Sequence, residues 1–598
     1  TMINELKHRT QKQTATPINT RMAAQFHPLH EDVEGKHELE EVPPRSIDDY
    51  LESAYRHSAA RRYPHNSLLL DILEHWRYYI IFLALGIANS GDAAEMGAIS
   101  YILGSAQFQH DILMKDGEDG LEEEIDFAGR GAAIAGSHFA GMLISGLLSG
   151  ILADIWGRRS TLLTGLVCNG IVGLLSVGAR NATELCLLRF MLGAGLGMVI
   201  AGVVTLCAEV APPSNRGRFM TLVGACYTLG FLYVAICAVA IFRGSGSDNW
   251  RLFMFMNALP TIVSATLVFL FLPESPRFFL SRGRTREAVH VLNVIASRIG
   301  YVDNVLTEEE LTQYLFQAKK IGEASSRAKD AIANETSNYA APEQSTIKEI
   351  CMNLAGLKQV YMNGLHRRTL PLQMAYFCLT LATGVMQWWT KIFQMLDLEI
   401  DAYVLSFYHT CAQIPGMMLA TGLIDYVGRR RFVIIGFSSG SVILTVLSAI
   451  VNPIKKVEEE IADSGEGGGG QYSFLILVMA CLYSISLCVA WLSLDCLSAE
   501  SYPTKVRSTG RGVCVATGRM AGFCVQFLYG PLINQGFVSR MLGLASVFSL
   551  AGVVISCQTT DTTNIDLQDH WDYAKEGGAA NGDENAKRGS FAETTHID

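Results

Sequence analysis

Residues Gly150-Ile-Leu-Ala-Asp154-Ile-Trp-Gly157-Arg158-Arg159 return later in the chain as Gly422-Leu-Ile-Asp425-Tyr-Val-Gly428-Arg429-Arg430-Arg431, with the first glycine one residue closer to the acid. Each copy joins two apolar stretches. A second pair of loops repeats as well: Glu209-Val-Ala-Pro212 with Arg216 and Gly217, then Glu500-Ser-Tyr-Pro503 with Arg507. Equivalent loops at matching places imply an internal duplication, so each half should hold the same number of apolar spans.

Those stretches run for about twenty residues, the length a helix needs to cross a hydrocarbon core of roughly 30 Å. Twelve are read, near 78–103, 131–154, 161–179, 184–208, 219–242, 252–272, 370–396, 403–424, 432–452, 472–497, 512–534 and 541–557. Lipid offers backbone N–H and C=O groups no partner, so each span is expected to be a helix. The expected fold class is an all-α membrane protein, with twelve transmembrane helices in two pseudo-symmetric six-helix bundles. The expected domains are a cytoplasmic, largely disordered N-terminal tail over 1–76 and a first bundle over 77–272. A cytoplasmic loop over 273–368 links it to a second bundle over 369–557, followed by a disordered cytoplasmic tail over 558–598. In the linking loop, Thr307-Glu-Glu-Glu310 resembles a capping box that opens a surface helix. Glu458–Gly470, ending in four glycines, looks like a flexible exterior loop.

Composition points the same way. Hydrophobic residues make up 49% and charged residues 17%, against about a quarter charged in a soluble chain. The net charge of −10 comes largely from the polar segments, and no long basic block suggests a nucleic-acid partner. The 14 cysteines follow no metal-ligand spacing and no disulfide framework, so they read as small buried hydrophobes and no cofactor or metal is expected. The first 75 residues are polar, with no cleavable signal peptide, so the first span itself should direct insertion.

With the N-terminus inside, the four short cytoplasmic loops hold Arg158, Arg159, Arg216, Arg218, Arg429, Arg430, Arg431, Lys505, Arg507 and Arg511. The opposite loops hold fewer cations over greater length, which places both termini in the cytoplasm. Asn181-Ala-Thr183 is then a glycosylation sequon in an exterior loop, while Asn334-Glu-Thr336 falls inside. Enzyme motifs fail. There is no His-Glu-x-x-His, P-loop or paired Cys-x-x-Cys, and Gly436-Phe-Ser438-Ser-Gly440 matches the hydrolase elbow only in form, inside span nine.

The loop motifs have a physical logic. Glycine permits the tight turn, Asp154 or Asp425 can pair with an arginine or cap the next helix, and Arg158, Arg159, Arg429 and Arg430 sit at lipid headgroups. Such ion pairs would latch the cytoplasmic side and break when it opens. Glu209, Arg216, Glu500 and Arg507 extend the gating set, and Pro273-Glu274-Ser-Pro276-Arg277 closes span six with Glu274 and Arg277 free to pair with the loops. Arg189 opens Arg-Phe-Met-Leu-Gly193-Ala-Gly195-Leu-Gly197 in span four; it either snorkels to the interface or is buried with a partner, for which Glu209 is too distant.

Charges inside spans are costly and mark pathways. Asp92 and Glu95 share one face of span one in Gly91-Asp92-Ala-Ala-Glu95-Met96 and are expected to face a cavity, in contact with protons or cations. Span ten carries Trp491 and Asp495 one turn apart. Span eleven carries Arg519, which either binds a substrate carboxylate or neutralises Asp495. Gln387, Trp388, Trp389 and Lys391 add polar or stacking groups in span seven, where a tryptophan near a span end is more often an interfacial belt residue.

Taken together, over nearly all of residues 75–557, these motifs resemble the major facilitator superfamily. Within it, His75-Trp76-Arg77 leading to Asp92 and Glu95, and Trp491-Leu-Ser-Leu-Asp495-Cys-Leu-Ser-Ala-Glu500-Ser-Tyr-Pro503, are similar to the synaptic vesicle glycoprotein 2 group, its shorter transporter relatives and the organic-ion carriers. The resemblance implies that Asp92, Glu95, Trp491 and Asp495 line a central cavity. The large lumenal domain of the synaptic vesicle proteins between helices seven and eight is absent. An arginine at position 519 resembles organic-anion carriers, which have arginine where organic-cation carriers have an acid.

The expected function is secondary active transport of a small organic ion, an anion by preference, by alternating access with proton coupling. The expected site is Asp92, Glu95, Gln387, Trp388, Trp491, Asp495 and Arg519. A sugar or organic cation is the alternative substrate, and a non-transporting ligand-binding membrane protein the alternative function. The expected partners are the solute, protons and the bilayer, for a monomer in the plasma membrane or an intracellular vesicle or vacuolar membrane.

Overall fold

A computed structural model of the chain describes residues 50–55, 75–113, 122–212, 215–243, 248–299, 306–313, 360–362, 365–396, 400–464, 470–502 and 507–561. Within these, the side chains of residues 122–128, 425, 453–464, 470–473, 507 and 508 are left undescribed. The two outer tails, most of the linking loop including Asn334, and the side chains of Asp425 and Arg507 therefore lie outside the description.

The first half is built from α1 (Trp76–Gly104), α2 (Glu122–Trp156), α3 (Arg158–Ser176), α4 (Ala182–Val210), α5 (Arg216–Phe242) and α6 (Trp250–Phe271). In the second, α7 begins as His366–Thr383, passes through a 3-10 turn at Gly384–Trp388 and resumes as Trp389–Met395. Then come α8 (Ala402–Cys411 and Gln413–Val427, interrupted at Ala412), α9 (Arg429–Ser464), α10 (Gly470–Glu500), α11 (Arg507–Asn534) and α12 (Val538–Ser556). The twelve expected spans are thus twelve helical segments, most of them a few residues longer than read. α9 runs past its apolar part, so residues 458–464 are helix and not the loop expected of them. Lys455, Lys456 and Glu458 to Glu460 are helix-forming residue types in the sequence, and the first glycine after them comes only at 465.

Among the described residues, nine helices are long and apolar enough to cross a membrane by length and composition. The others are α1, with Asp92 and Glu95, the interrupted α8, and α11, with Arg511 and Arg519. α1 and α11 lose apolar character to their charges, α8 falls short because its break at Ala412 leaves two short pieces, and α10 keeps an apolar window in spite of Asp495.

Glycines set the closest packing. At Gly141 and Gly197 on the α2–α4 contact an added Cβ would overlap the Phe190 carbonyl and the Ser145 hydroxyl, and at Gly193 the His138 carbonyl. Small residues let helix backbones approach in lipid, where burial from water supplies no driving force. α1 packs on α5 and α6, α9 on α10 and α12, and α7 on α11 and α12.

The halves meet through α2 with α11, α5 with α8 and α1 with α7. Ser100 hydrogen bonds Thr390 at 3.2 Å, Tyr101 hydrogen bonds Thr410 at 3.3 Å, and Gln394 donates to the Gly104 carbonyl at 2.7 Å. These bonds gather at the end of α1 remote from the loops that carry Asp-x-x-Gly-Arg-Arg. There too, Phe242 stacks on Tyr403 with centroids 4.8 Å apart, and Gly136 approaches Phe527. Toward the Arg-loop face, a Cβ added at Gly146 or Gly150 of α2, Gly224 of α5, Gly422 of α8 or Gly512 of α11 would meet no atom within 4 Å. Among the described residues, the hydrogen bonds and ring contacts named between the halves lie toward one face, and these five glycine positions toward the other border open space.

Before α1, residues 50–55 form a helical turn against the linking segment. Tyr50 donates to Asn293 Oδ1 at 2.9 Å, and Asn293 is also bonded to both backbone groups of Leu306. Thr307 and Glu310 cap each other's backbone N–H at 2.8 and 3.3 Å, the reciprocal arrangement of a capping box.

Candidate substrate and gating sites

On the Arg-loop face, Gly157 (φ 102°) turns the chain from α2 into α3, and Gly428 (φ 95°) does the same between α8 and α9. Glycine is required at both because a side chain at such φ is strained. Arg158 Nε lies 3.2 Å from Glu209 at the end of α4, and Arg429 Nε lies 3.2 Å from Glu500 at the end of α10. The next arginines also correspond. Arg159 donates to the Phe269 carbonyl near the end of α6 at 2.8 Å, and Arg430 donates to the Cys557 carbonyl just past α12. A cation at closing carbonyls is favoured by the helix dipole. The repeat in sequence is therefore a repeat of contacts.

Glu274 caps α3, accepting the backbone N–H groups of Arg159 at 2.8 Å and Ser160 at 3.4 Å. Asp154 lies 4.0 Å from Arg158, and its carbonyl accepts from Arg282 at 2.6 Å. Arg277, on the short helix Pro276–Ser281, adds a second positive charge acting on Glu209. Arg216 is the first residue of α5. Asp425 and Arg507 stand near the end of α8 and at the start of α11. The sequence suggested pairs that break as this face opens. Among the described residues, Arg158–Glu209 and Arg429–Glu500 are each made inside one half, where they brace their own bundles.

Arg189 is buried, 1% exposed, and its Nη1 pairs with Glu95 Oε2 at 3.3 Å while Nη2 reaches the Met254 sulfur at 2.9 Å. This decides between burial and snorkelling, and it separates the two acids of α1. Glu95 is committed to Arg189 within the first bundle; Asp92, 2% exposed, has neither carboxylate oxygen hydrogen bonded. Breaking a buried pair by removing one partner leaves an uncompensated charge, at a cost of about 3–5 kcal/mol. Glu95→Gln is expected to lower the melting temperature of the purified protein sharply; a melting curve equal to that of the parent contradicts this role.

At the centre, Arg519 on α11 lies in the field of Asp92 (α1), Tyr227 (α5), Tyr376 (α7) and Asp495 (α10). Among the described residues it makes no hydrogen bond or ion pair. Asp495 has other partners: its Oδ1 accepts from the Tyr376 hydroxyl at 2.5 Å and lies 3.6 Å from Arg511 Nη2. The Trp491 ring stands edge-on to Tyr376, with centroids 6.0 Å apart. Thus the structure brings Asp92, Trp491, Asp495 and Arg519 around one centre.

Gln387 and Trp388 belong to the 3-10 turn of α7. Trp388 is buried and donates its indole N–H to Gln526 Oε1 at 3.0 Å, while Gln387 Oε1 and Gln526 Nε2 are buried without a partner. Trp389, for which the interfacial belt was the commoner expectation, is 2% exposed and stacks on Phe393. Residues missed from the sequence are Arg511, Tyr376, Tyr227 and Gln526. Tyr376, Thr380, Gly384 and Gln387 follow helical spacing, a signal that was available.

The sequence profile described as "Sugar (and other) transporter" matches residues 92–563. The chain belongs to this family. It is a multi-pass membrane protein of the major facilitator superfamily and a secondary transporter of that type. The transporter is 23% identical over 497 residues to the niacin transporter NiaP of Acinetobacter baylyi, covering 82% of this chain and 96% of that one. It is 28% identical over 279 residues to synaptic vesicle glycoprotein 2C of Rattus norvegicus, covering 44% of this chain and 36% of that one. The inward-open xylose transporter XylE of E. coli shares its fold, with a TM-score of 0.58, 16% identity, and coverage of 82% of this chain and 98% of that one. The major facilitator fold, twelve helices in two six-helix bundles, is therefore the fold of this transporter.

Proposed function

We propose that the transporter carries a small organic anion together with a proton, and that Arg519 holds the anionic group. The observation that carries this is the state of Arg519: a guanidinium facing groups from four other helices, with no hydrogen bond or ion pair among the described residues. Asp495 is occupied by Tyr376 and Arg511, so it leaves that cation uncompensated by direct contact. The similarity to a niacin transporter supports the same class, because niacin is a pyridine carboxylate. Trp491 supplies a flat surface for an aromatic ring.

Asp92 supplies the coupling in this proposal. Ionised, it competes with a substrate anion for the charge of Arg519; protonated, it does not. Proton and anion therefore favour each other's binding, and by linkage each moves the other's affinity by the same factor. In this proposal the loops with the arginine motifs face the cytoplasm by the positive-inside rule, and the open space about the glycines on that face supports reading the state as open inward. Alternating access follows when the halves rock about the centre and join on that face.

The test is thermal stability of the purified protein against aromatic carboxylates (nicotinate first), organic cations and neutral sugars. A ligand at 100 times its Kd stabilises by about 2.7 kcal/mol. Carboxylates are expected to raise the midpoint, more strongly at acidic pH. A midpoint that moves with cations or sugars and not with carboxylates contradicts the proposal.

A further inference from the structure

Two arginines project from α11 eight residues apart, which is about 12 Å along a helix axis. Asp495, from α10, exerts its charge on both. Its contact is with one: Oδ1 stands 3.6 Å from Arg511 Nη2. The same oxygen is held by the hydroxyl of Tyr376, a buried side chain that also hydrogen bonds Ser498 at 3.0 Å. Arg511 and Asp495 are about a third exposed, at 34% and 40% of their side chains, so the pair is only half-buried. At 3.6 Å the pair is longer than a direct charge-assisted hydrogen bond of about 2.7–2.9 Å, so Asp495 is not fixed to Arg511 by tight contact. Remove Arg511, and among the described residues the other arginine on which Asp495 exerts its charge is Arg519.

We infer that Arg511 is a positioning residue: with Tyr376 it draws Asp495 away from Arg519, so that a substrate anion and not a protein carboxylate occupies Arg519. The inference rests on the anion reading above. It gives Asp495 the part of a displaceable counter-ion. In the empty carrier, or in the other conformation, the carboxylate has a second arginine within reach to neutralise.

The experiment measures nicotinate affinity of the full-length purified chain by calorimetry. Arg511→Gln is expected to weaken binding at least tenfold although Arg519 is untouched, and Arg511→Lys to retain most of it. The deciding variant is Asp495→Asn combined with Arg511→Gln, expected to return affinity to within about threefold of the parent, since the competing carboxylate is gone. If Arg511→Gln does not fold, Tyr376→Phe loosens Asp495 by its other anchor; weakened binding, reversed by Asp495→Asn, supports the inference. Affinity unchanged in Arg511→Gln, or weakened without recovery in the double variant, overturns it. So does unchanged affinity in Tyr376→Phe, where that variant has to serve. A parent protein that binds no carboxylate fails the anion reading itself, whereas carboxylate binding that needs Arg519 and ignores Arg511 fails only this inference.

Discussion

Replacing Arg519 by glutamine is expected to lower carboxylate affinity by roughly ten- to a hundredfold while leaving the protein folded. A hydrogen bond to a charged group contributes about 1.5–3 kcal/mol, and each 1.4 kcal/mol is about a factor of ten. The thermal readout follows. A ligand at 100 times the parent's Kd stabilises it by about 2.7 kcal/mol, and a hundredfold loss of affinity reduces this to about 0.4 kcal/mol. Folding should survive because Arg519 makes no hydrogen bond or ion pair among the described residues. In that respect it differs from Arg189, whose buried partner Glu95 depends on it. If the carboxylate-induced rise in midpoint is the same with glutamine at 519, the anion sits elsewhere.

Asp92→Asn should produce the second large effect, and a different one. The amide mimics the protonated acid, so binding of the anion is expected to persist and to lose its dependence on pH. Uphill movement should disappear. With one proton per anion, a gradient of one pH unit supports about tenfold accumulation, since both correspond to about 1.4 kcal/mol; the variant should only equilibrate the solute. Asp92 has the right placement, buried at 2% exposure with both carboxylate oxygens unbonded. Accumulation by the variant equal to that of the parent would remove Asp92 from the coupling.

The architecture was legible because its signals are coarse and repeated. Apolar spans of crossing length and two copies of the Asp-x-x-Gly-Arg-Arg loop suffice for twelve helices in two halves. Partners within the loops were harder, because Arg158 and Arg429 find their acids at the ends of helices about 50 and 70 residues further on, and sequence distance says nothing of that. Asp92 and Glu95 illustrate a limit of helical spacing. Three residues apart places them on one side of α1, yet the roughly 60° between them is enough to turn Glu95 toward Arg189 and leave Asp92 unbonded. Arg511 was missed by one residue: span eleven was read from 512, which put it in a cytoplasmic loop, whereas α11 begins at Arg507. Tryptophans 388 and 389 lie near a span end, but the break in α7 turns both into the second bundle.

Uptake of labelled nicotinate into vesicles carrying the purified protein, with an inward proton gradient and protein-free vesicles as control, tests the central claim most directly. Accumulation above the equilibrium level, abolished by collapsing the gradient and by Arg519→Gln, is the predicted result. Tight binding of the carboxylate with no uptake under any gradient would contradict the account and favour a ligand-binding protein built on the carrier fold.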